Sequence, residues 1–216
     1  MLALESLSIS YDGDIVFHDV DFHLATSEIC CVRTGVLDGS TSLLKCIGAI
    51  RPPSSGRCVV DDIDIHKASE RELLRLVCYC YEAGGLVSLF NVYENIVLPV
   101  MYHGNTNPRE MESFVREVAR ELFIEDCLDK QTHELNDVQT RMVNLARGVV
   151  IGSRLLLLDE IQEGMSAEMK SAVIAFLLNL REQDGRTILM TTTAGDDTSF
   201  ADSVYYIGEK QLQVEH

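Results

Sequence analysis

The chain has 216 residues, of which 46% are hydrophobic and 24% charged, and its formal net charge is −16. This length suits one compact domain, or one core with a smaller insertion, and it excludes two large domains. The negative charge excludes non-specific binding to nucleic acid or to an anionic membrane surface, because both reward clustered Lys and Arg. No apolar run reaches the length of a transmembrane helix and the first residues do not resemble a signal peptide, so we expect a cytoplasmic location.

The seven cysteines are odd in number and lie mostly inside apolar stretches. We therefore predict that they are reduced and buried, as small hydrophobic residues. Cys78 and Cys80 are too close in sequence for the usual CxxC pattern of redox or zinc sites, and no second Cys/His pair has a matching spacing. The sequence therefore predicts no structural metal site.

The N-terminal part predicts a β-rich opening followed by a strand, a loop and a helix. Leu2 to Ser10 and Val16 to Leu24 alternate apolar and polar residues on either side of a turn, which is typical of paired strands. Glu28 to Val32 is a short apolar strand and, after a loop, Thr41 to Ile50 carries apolar residues on one helical face. This order is the setting in which a phosphate-binding loop is built.

The middle of the chain combines a hairpin with a helical insertion. Arg57 to Ile65 predicts a strand hairpin with two aspartates at its turn, and Glu70 to Leu76 predicts a short helix. Val77 to Tyr81 is a further strand. From Val92 to Cys127 the pattern becomes helical and acidic, which indicates a helical insertion with a solvated face.

The C-terminal part alternates helices with apolar strands. The predicted elements are helices at Gln139 to Val150 and Ala167 to Gln183, strands at Arg154 to Asp159, Thr187 to Thr192 and Ser203 to Gly208, and a short helical turn at Thr198 to Asp202. Apolar strands that alternate with helices predict an α/β fold with a mostly parallel sheet covered on both faces.

Six segments of the chain follow one another in an order that identifies a family. They are Tyr11 at the end of the first strand, Ser42 to Ile47 behind the loop, Arg51 to Gly56, Asn91 to Pro99, Val143 to Arg147, and the apolar run before Asp159 and Glu160. From Met1 to about Val214 this order resembles the ABC-transporter ATPase family. Within that family, the segment before Asn91 to Pro99 is similar to ATPase subunits of Mla/Mce-type lipid transporters, and lipoprotein-exporter-like proteins share Asn91 to Pro99 itself.

The resemblance implies a P-loop, RecA-like core with an N-terminal antiparallel β subdomain and a helical subdomain. The β subdomain and the core are expected at residues 1–91 and 144–216, and the helical subdomain at 92–143. All three belong to a single ABC ATPase-like domain that covers residues 1–216.

The resemblance also implies which residues would bind nucleotide. The expected phosphate-binding residues are Gly35, Gly39, Ser40, Thr41 and Ser42. Tyr11 would stack on adenine, Thr41 and Asp159 would hold Mg²⁺, and Glu160 would orient or activate the attacking water. ATP and Mg²⁺ are therefore the expected cofactors if nucleotide is bound at all. Two simpler interpretations stay open, namely that Asp159 and Glu160 are a polar strand end and that Tyr11 is a packing residue.

Several positions depart from the family's motifs. Ser40 stands where the phosphate loop carries its lysine, Thr34 replaces the first glycine, and Asp38 brings a negative charge toward the phosphates. These changes oppose triphosphate binding, because one charge contact at about 4 Å is worth several kcal/mol at intermediate dielectric. The Q-loop glutamine, three signature residues, the aspartate of the dimer-facing loop and the switch histidine are replaced by Glu82, Asn136, Asp137, Val138, Ser166 and Thr193.

These replacements lead us to expect a catalytically impaired cassette subunit, a pseudo-ATPase. It would be a structural or regulatory partner of transmembrane permease subunits or of an active ATPase subunit, as a homodimer or a heterodimer. Asn91 to Pro99 keeps the segment that meets the membrane subunit in the family, so we expect the protein on the inner face of the cytoplasmic membrane. Two alternatives stay open: an active ATPase with an atypical phosphate loop that energises transport of a lipid or other substrate, and a soluble regulator that reuses the fold.

Overall fold

The computed structural model describes residues 1–35, 37–103 and 107–215, without the side chain of His103. These residues form ten strands and six α-helices. In chain order they are β1 (Leu2–Tyr11), β2 (Asp14–Leu24), β3 (Ile29–Arg33), α1 (Ser40–Ile47), β4 (Ser55–Val60), β5 (Ile63–Asp64), α2 (Glu70–Leu76), β6 (Val77–Cys80), α3 (Val92–His103), α4 (Pro108–Glu121), α5 (Asp137–Ile151), β7 (Leu155–Leu158), α6 (Ala167–Asp184), β8 (Thr187–Thr192), β9 (Ser203–Gly208) and β10 (Gln211–Val214).

The central sheet has six strands in the order β10-β9-β3-β8-β7-β6. Strand β3 pairs in parallel with β8 and β9, β7 pairs in parallel with β6 and β8, and β10 alone runs antiparallel to its neighbour β9. Because parallel strands end at the same edge of a sheet, the segments that follow β3, β7 and β8 come together there. This sheet confirms the predicted α/β fold.

Alternate residues of the central strands face two separate apolar cores. Leu156 and Leu158 of β7 belong to a core formed mainly with α3, α4, α5 and α6. Leu155 and Leu157 belong to a second core, formed with α1 and the N-terminal strands. A strand that buries both of its faces needs the continuous apolar run seen in the sequence. The prediction of a sheet covered on both sides is therefore confirmed.

The N-terminal β subdomain is a four-stranded antiparallel sheet in the order β2-β1-β4-β5. Its two tight turns use left-handed backbone, with φ 93° at Gly13, 49° at Asp61 and 64° at Asp62. Gly and Asp tolerate this conformation better than other residues, which is why the turn residues were readable from the sequence.

The helical boundaries differ from the prediction at two places. Helix α5 begins at Asp137, before the predicted Gln139, because Asn136 caps it and accepts a hydrogen bond from the Gln139 backbone N–H at 2.8 Å. The short helical turn expected from Thr198 to Asp202 is a single hydrogen-bonded turn, in which the Ala201 N–H donates to the Thr198 carbonyl. The Asp202 carboxylate accepts from the Ile29 N–H at 2.8 Å.

Helix α5 continues without interruption through residue 143, where the helical subdomain was expected to end. Met142 and Val143 before this point and Val149 and Val150 after it are buried in the same apolar core. The expected division of the chain therefore falls inside one helix that joins α3 and α4 to the central sheet.

The cysteines are part of this packing. All seven are free, six are buried and Cys78 is partly buried. Burial raises the pKa of the Cys30, Cys31 and Cys46 thiols to about 12. The prediction that the cysteines act as small buried residues is confirmed for these positions. Among the described residues, no helix has the length and apolar character needed to cross a membrane.

Candidate functional site

The candidate site lies in the loop between β3 and α1, at the edge where the parallel strands end. The Thr34 N–H donates to the Thr192 carbonyl at 2.8 Å, which fixes the start of the loop to β8. Gly39 caps α1 with φ 92°, and a Cβ added to it would lie 2.2 Å from Cγ1 of Val16. Only glycine fits this position, because left-handed backbone and a close contact coincide there.

Two backbone N–H groups, those of Gly35 and Ser40, are already engaged by a side chain of the loop itself. Gly35 N–H donates to Oδ2 of Asp38 at 2.6 Å, and Ser40 N–H donates to Oδ1 at 3.0 Å. A helix N-terminus attracts anions because its N–H groups are unpaired and its dipole is positive there. The Asp38 carboxylate therefore takes the role of an internal anion at the start of α1.

Asp159 is enclosed by hydroxyl groups from three different elements. The Tyr79 hydroxyl donates to Oδ2 at 2.5 Å, and the Thr191 and Thr41 hydroxyls donate to Oδ1 at 3.1 Å and 3.4 Å. The Asp159 residue is 1% exposed. Burial, and then the hydrogen bond to Asp159, raise the pKa of Tyr79. Both oxygens of this carboxylate are thus satisfied within the protein.

Glu160 follows Asp159 with left-handed backbone, at φ 43°, and its N–H donates to the Thr191 hydroxyl at 2.8 Å. Its carboxylate lies near those of Glu82 and Glu163, with one oxygen of each within 4.8 Å of the others. Burial raises the pKa of Glu160, and the charges of Glu82 and Glu163 raise it further. This side of the site therefore favours positive rather than negative ligands.

Arg141 forms an ion pair with Glu163 of this carboxylate group, and its side chain is 3% exposed. Its guanidinium donates to the Glu82 carbonyl at 3.4 Å, to the Glu163 carbonyl and to the Glu163 carboxylate at 3.4 Å. Arg141 is thus used to hold two backbone segments together.

A cavity of about 350 Å³ opens beside the loop. It is lined by Tyr11, Val16, Gly35, Leu37, Asp38, Gly39, Ser40, Thr41, Ser42 and Glu160. The expected phosphate-binding residues therefore do meet at one place. The ring of Tyr11 is covered by the Arg51 guanidinium, whose carbon lies 5.1 Å from the ring centroid, so a cation of the chain itself stacks there.

The residues at the signature position cap their own helix. The backbone N–H of Asn136 donates to Oε1 of Gln139 at 3.1 Å, reciprocating the bond to the Asn136 side chain, and Asp137 adds a negative charge in the first turn. Val138 lies close to the segment after β7, since a Cβ added to Gly164 would be 3.6 Å from its Cγ2. At the N-terminus of α5, the Gln139 N–H is therefore satisfied within the chain, and the Asp137 charge compensates the helix dipole.

The two other replaced positions lie outside the cavity and have local structural roles. Ser166 caps α6 by accepting from the Met169 N–H at 3.2 Å. Thr193 donates through its N–H at 3.0 Å and its hydroxyl at 2.9 Å to one oxygen of Asp196. The other Asp196 oxygen pairs with Lys170 of α6 at 2.6 Å.

Sequence reasoning missed four residues that shape the site: Tyr79, Thr191, Arg51 and Arg141. Tyr79 and Thr191 are polar positions within otherwise apolar central strands, which was a usable signal. Arg51 and Arg141 gave no such signal, because their partners lie far away in the sequence.

The α/β architecture and the loop between β3 and α1 define the class of ATP-binding cassettes. The family model described as ABC transporter matches residues 17–163, and the chain belongs to this family, as an ATP-binding cassette. Among curated relatives, the methionine import ATP-binding protein MetN 1 of Rhodococcus jostii is 29% identical over 82% of this chain and 53% of its own length. The macrolide export protein MacB of Campylobacter jejuni is 28% identical over 89% of this chain and 30% of its own length. The chain thus spans about half or less of these two relatives.

A relative of similar length is the ABC transporter ATP-binding protein YxdL of Bacillus subtilis, which is 25% identical over 98% of this chain and 85% of its own length. Among solved structures, the dimeric bacterial cassette MJ0796 superposes with a TM-score of 0.89 at 19% identity, covering 100% of this chain and 98% of that one. At this identity the superposition shows the shared fold.

Proposed function

We propose that this chain is a cassette subunit of an ABC transporter that does not hydrolyse ATP efficiently and acts as a structural or regulatory partner. The observation that carries the proposal is the Asp38 carboxylate, which accepts hydrogen bonds from the Gly35 and Ser40 N–H groups. A phosphate would have to displace this carboxylate from the N–H groups before it could bind to them.

The charges around the cavity support the same conclusion. Ser40 supplies no positive charge at the lysine position, and Asp38 and Glu160 line the cavity. Two like charges 4 Å apart repel by about 4 kcal/mol at an effective dielectric constant of 20. A triphosphate in the usual pose would meet this repulsion without the lysine that compensates it in the family's phosphate loop.

The expected magnesium site keeps suitable residue types, but their side chains are hydrogen-bonded within the protein. Thr41 and Asp159 would be the residues to hold Mg²⁺, with Glu160 to orient water, if ATP and Mg²⁺ were bound. The Tyr79 and Thr191 hydroxyls already satisfy Asp159, and Mg²⁺ would have to compete with them. These contacts do not fit Mg–ATP in the pose expected for a hydrolysing cassette.

Cassettes of this family work in pairs, so the replaced residues of one subunit affect sites that it shares with the other. In the family, the phosphate loop of one cassette faces the signature residues of the other. In this chain Asp38 accepts a hydrogen bond from the phosphate loop, and Asn136 and Asp137 compensate the N-terminus of the helix at the signature position. Either a homodimer or a heterodimer would therefore contain weakened sites, which favours a structural or regulatory role over an energising one.

An exposed apolar surface supports a membrane permease as the partner. Leu89 is 86% exposed, Met101 is 74% exposed and Val87 is 38% exposed. A neighbouring cavity of about 350 Å³ is lined by Phe90, Glu94, Leu98, Met101 and Tyr102. A partner that covers this surface removes apolar area from water, which favours docking. We propose that the chain docks here from the inner face of the cytoplasmic membrane.

The class of cargo is a further part of the proposal. The segment from Tyr81 to Leu86 resembles Mla/Mce-type cassettes, and Asn91 to Pro99 is shared with lipoprotein-exporter-like cassettes, so lipids are the first substrate class to test. The relatives of this chain include a methionine import protein and a macrolide export protein. The same transport assay should therefore include substrates other than lipids.

The decisive test is ATP binding and turnover by the purified chain with Mg²⁺, alone and with its co-purifying partners. We expect no turnover above that of a Glu160→Gln control. Turnover that disappears in the control would overturn the proposal and establish an active ATPase with an atypical loop. Absence of any membrane partner on purification would instead favour a soluble regulator.

A further inference from the structure

The linking segment, Glu82 to Asn91, lies between β6 and α3 and carries Val87 and Leu89 of the exposed apolar surface. Most of its residues are exposed. Its backbone is nevertheless hydrogen-bonded to side chains of α3 and α5. These bonds determine how the apolar surface is presented to a partner.

Helix α5 holds the first half of the linking segment. Three of its polar side chains are three positions apart and therefore lie on one side of the helix, namely Arg141, Asn144 and Arg147. In this order they donate to the carbonyls of Glu82, Gly84 and Gly85, at 3.4 Å, 2.9 Å and 2.9 Å. The donors of the helix thus follow the carbonyls of the segment along the chain.

Gly85 lets the linking segment approach α5 closely. Its backbone is left-handed, with φ 76°. A Cβ added to it would lie 2.5 Å from Cδ2 of Tyr81 and 3.0 Å from Oδ1 of Asn144. Only glycine fits at this position, because left-handed backbone and a close contact coincide there.

Asn95 of α3 holds the second half of the linking segment from inside the protein, where it is fully buried. Its Oδ1 accepts from the Val87 N–H at 2.8 Å. Its amide nitrogen donates to the carbonyls of Val87, Phe90 and Asn91, at 3.1 Å, 3.2 Å and 3.0 Å. A different path of the segment would leave these buried polar atoms unpaired, which is costly.

Arg147 joins the two halves. The guanidinium that donates to the Gly85 carbonyl also donates to the Asn95 carbonyl at 3.1 Å and to Oδ1 of Asn95 at 3.4 Å. Arginine presents its donors in a fixed planar fork, which a lysine ammonium does not reproduce. Replacement of Arg147 by lysine would therefore keep the charge and lose the geometry.

We propose that Asn95 and Arg147 are positioning residues that keep the linking segment in one conformation, so that Val87 and Leu89 form a preformed surface for a permease. This inference rests on the proposed function, which assigns permease docking to that surface. A partner that meets an ordered segment avoids the entropy cost of ordering it. Asn95 is fully buried, so its effect on docking passes through the segment.

Hydrogen–deuterium exchange of the purified chain, followed by peptide mass spectrometry, tests the positioning role without any partner. In Asn95→Ala and in Arg147→Lys, the peptide that contains Val87 and Phe90 should exchange at least about tenfold faster, because loss of a buried hydrogen bond favours local opening. Arg147→Lys decides the question by itself if Asn95→Ala does not fold.

The matched control is Val173→Ala, at a fully buried position of α6 in the same apolar core. It should lower the free energy of unfolding and leave the exchange of the linking segment unchanged. Wild-type exchange of the segment in both Asn95→Ala and Arg147→Lys would overturn the proposal. An equal increase in Val173→Ala would also overturn it, because the two residues would then contribute only to general stability.

Recovery of the chain with membranes tests the consequence for docking. Arg147→Lys should lower recovery about fivefold or more, since the partner must then order the segment, whereas Val173→Ala should not lower it. If Leu89→Glu lowers recovery and Arg147→Lys does not, the positioning role is excluded. If Leu89→Glu has no effect, the docking surface itself is wrong, and this failure is separate because exchange is measured without a partner.

Discussion

Asp38 accepts hydrogen bonds from two backbone N–H groups of its own loop, at 2.6 Å and 3.0 Å. At the scale of single residues, this contact and the hydroxyl groups around Asp159 determine what the site can bind. Both arrangements satisfy polar atoms internally, and a buried polar group that has its partners offers less to a ligand.

Removing the internal anion should restore anion binding. In Asp38→Ser combined with Ser40→Lys, the Gly35 and Ser40 N–H groups are released and one positive charge is added. We expect ATP affinity to rise by at least about a hundredfold, because two changes of about 1.4 kcal/mol or more act in the same direction. Isothermal titration calorimetry measures this. Asp62→Ala, at an exposed turn, is the control, and unchanged affinity in the double variant would show that Asp38 does not limit binding.

At the scale of elements, the Lys170–Asp196 ion pair joins α6 to the segment after β8. Burial opposes ionisation of Asp196, but the hydrogen bond from Lys170 and those from Thr193 outweigh it, and the pKa of Asp196 lies below its ordinary value. A depressed carboxyl pKa adds stability that is present above the pKa of the unfolded chain and is lost as pH falls through the folded pKa.

Asp196→Asn should therefore lower the free energy of unfolding by about 1–2 kcal/mol at neutral pH, since the variant loses a charged hydrogen-bond partner. The difference from the wild-type chain should shrink below about pH 4, where the carboxyl group is protonated in the unfolded chain. Urea titrations at both pH values test this. Asp197→Asn, at a neighbouring carboxylate without an ion pair to Lys170, is the matched control. A pH-independent difference would contradict the prediction.

The ends of the strands show which elements could be predicted from the sequence and which could not. Strands β8 and β9 were predicted at their observed ends, because apolar runs between polar segments mark buried parallel strands. Strand β10 was missed, since its Gln-Leu-Gln-Val sequence is short and polar. The sign of the Asp38 effect was predicted from the alignment of the loop with the family's phosphate-loop motif, but the hydrogen bonds of Asp38 depend on the folded loop. The bond from Tyr79 to Asp159 joins two strands that are 80 positions apart in sequence.

At the scale of the whole molecule, the exposed apolar surface around Leu89 is the feature through which we propose that this cassette docks onto a membrane partner. Leu89→Glu should cost little stability, because the residue is 86% exposed. It should lower recovery of the chain with membranes about tenfold or more, as loss of a central apolar contact costs at least about 1.4 kcal/mol.

Membrane fractionation after expression at equal levels measures this effect. Phe123→Glu is the matched control, since Phe123 is 58% exposed, follows α4 and is not among the residues that line the neighbouring cavity. Equal loss in both variants would indicate a general effect of charge, and no loss in either would argue against docking through Leu89.

Asp38 is covalently part of the loop whose N–H groups it binds, unlike a free anion in solution. A carboxylate three residues from Gly35 and two from Ser40 is present at a high effective concentration that neither dilution nor dialysis reduces. A free ligand stabilises a protein by RT ln(1 + [L]/Kd), so its effect depends on its own concentration. Under the proposed function, the stability of this cassette should therefore be nearly independent of cellular nucleotide levels.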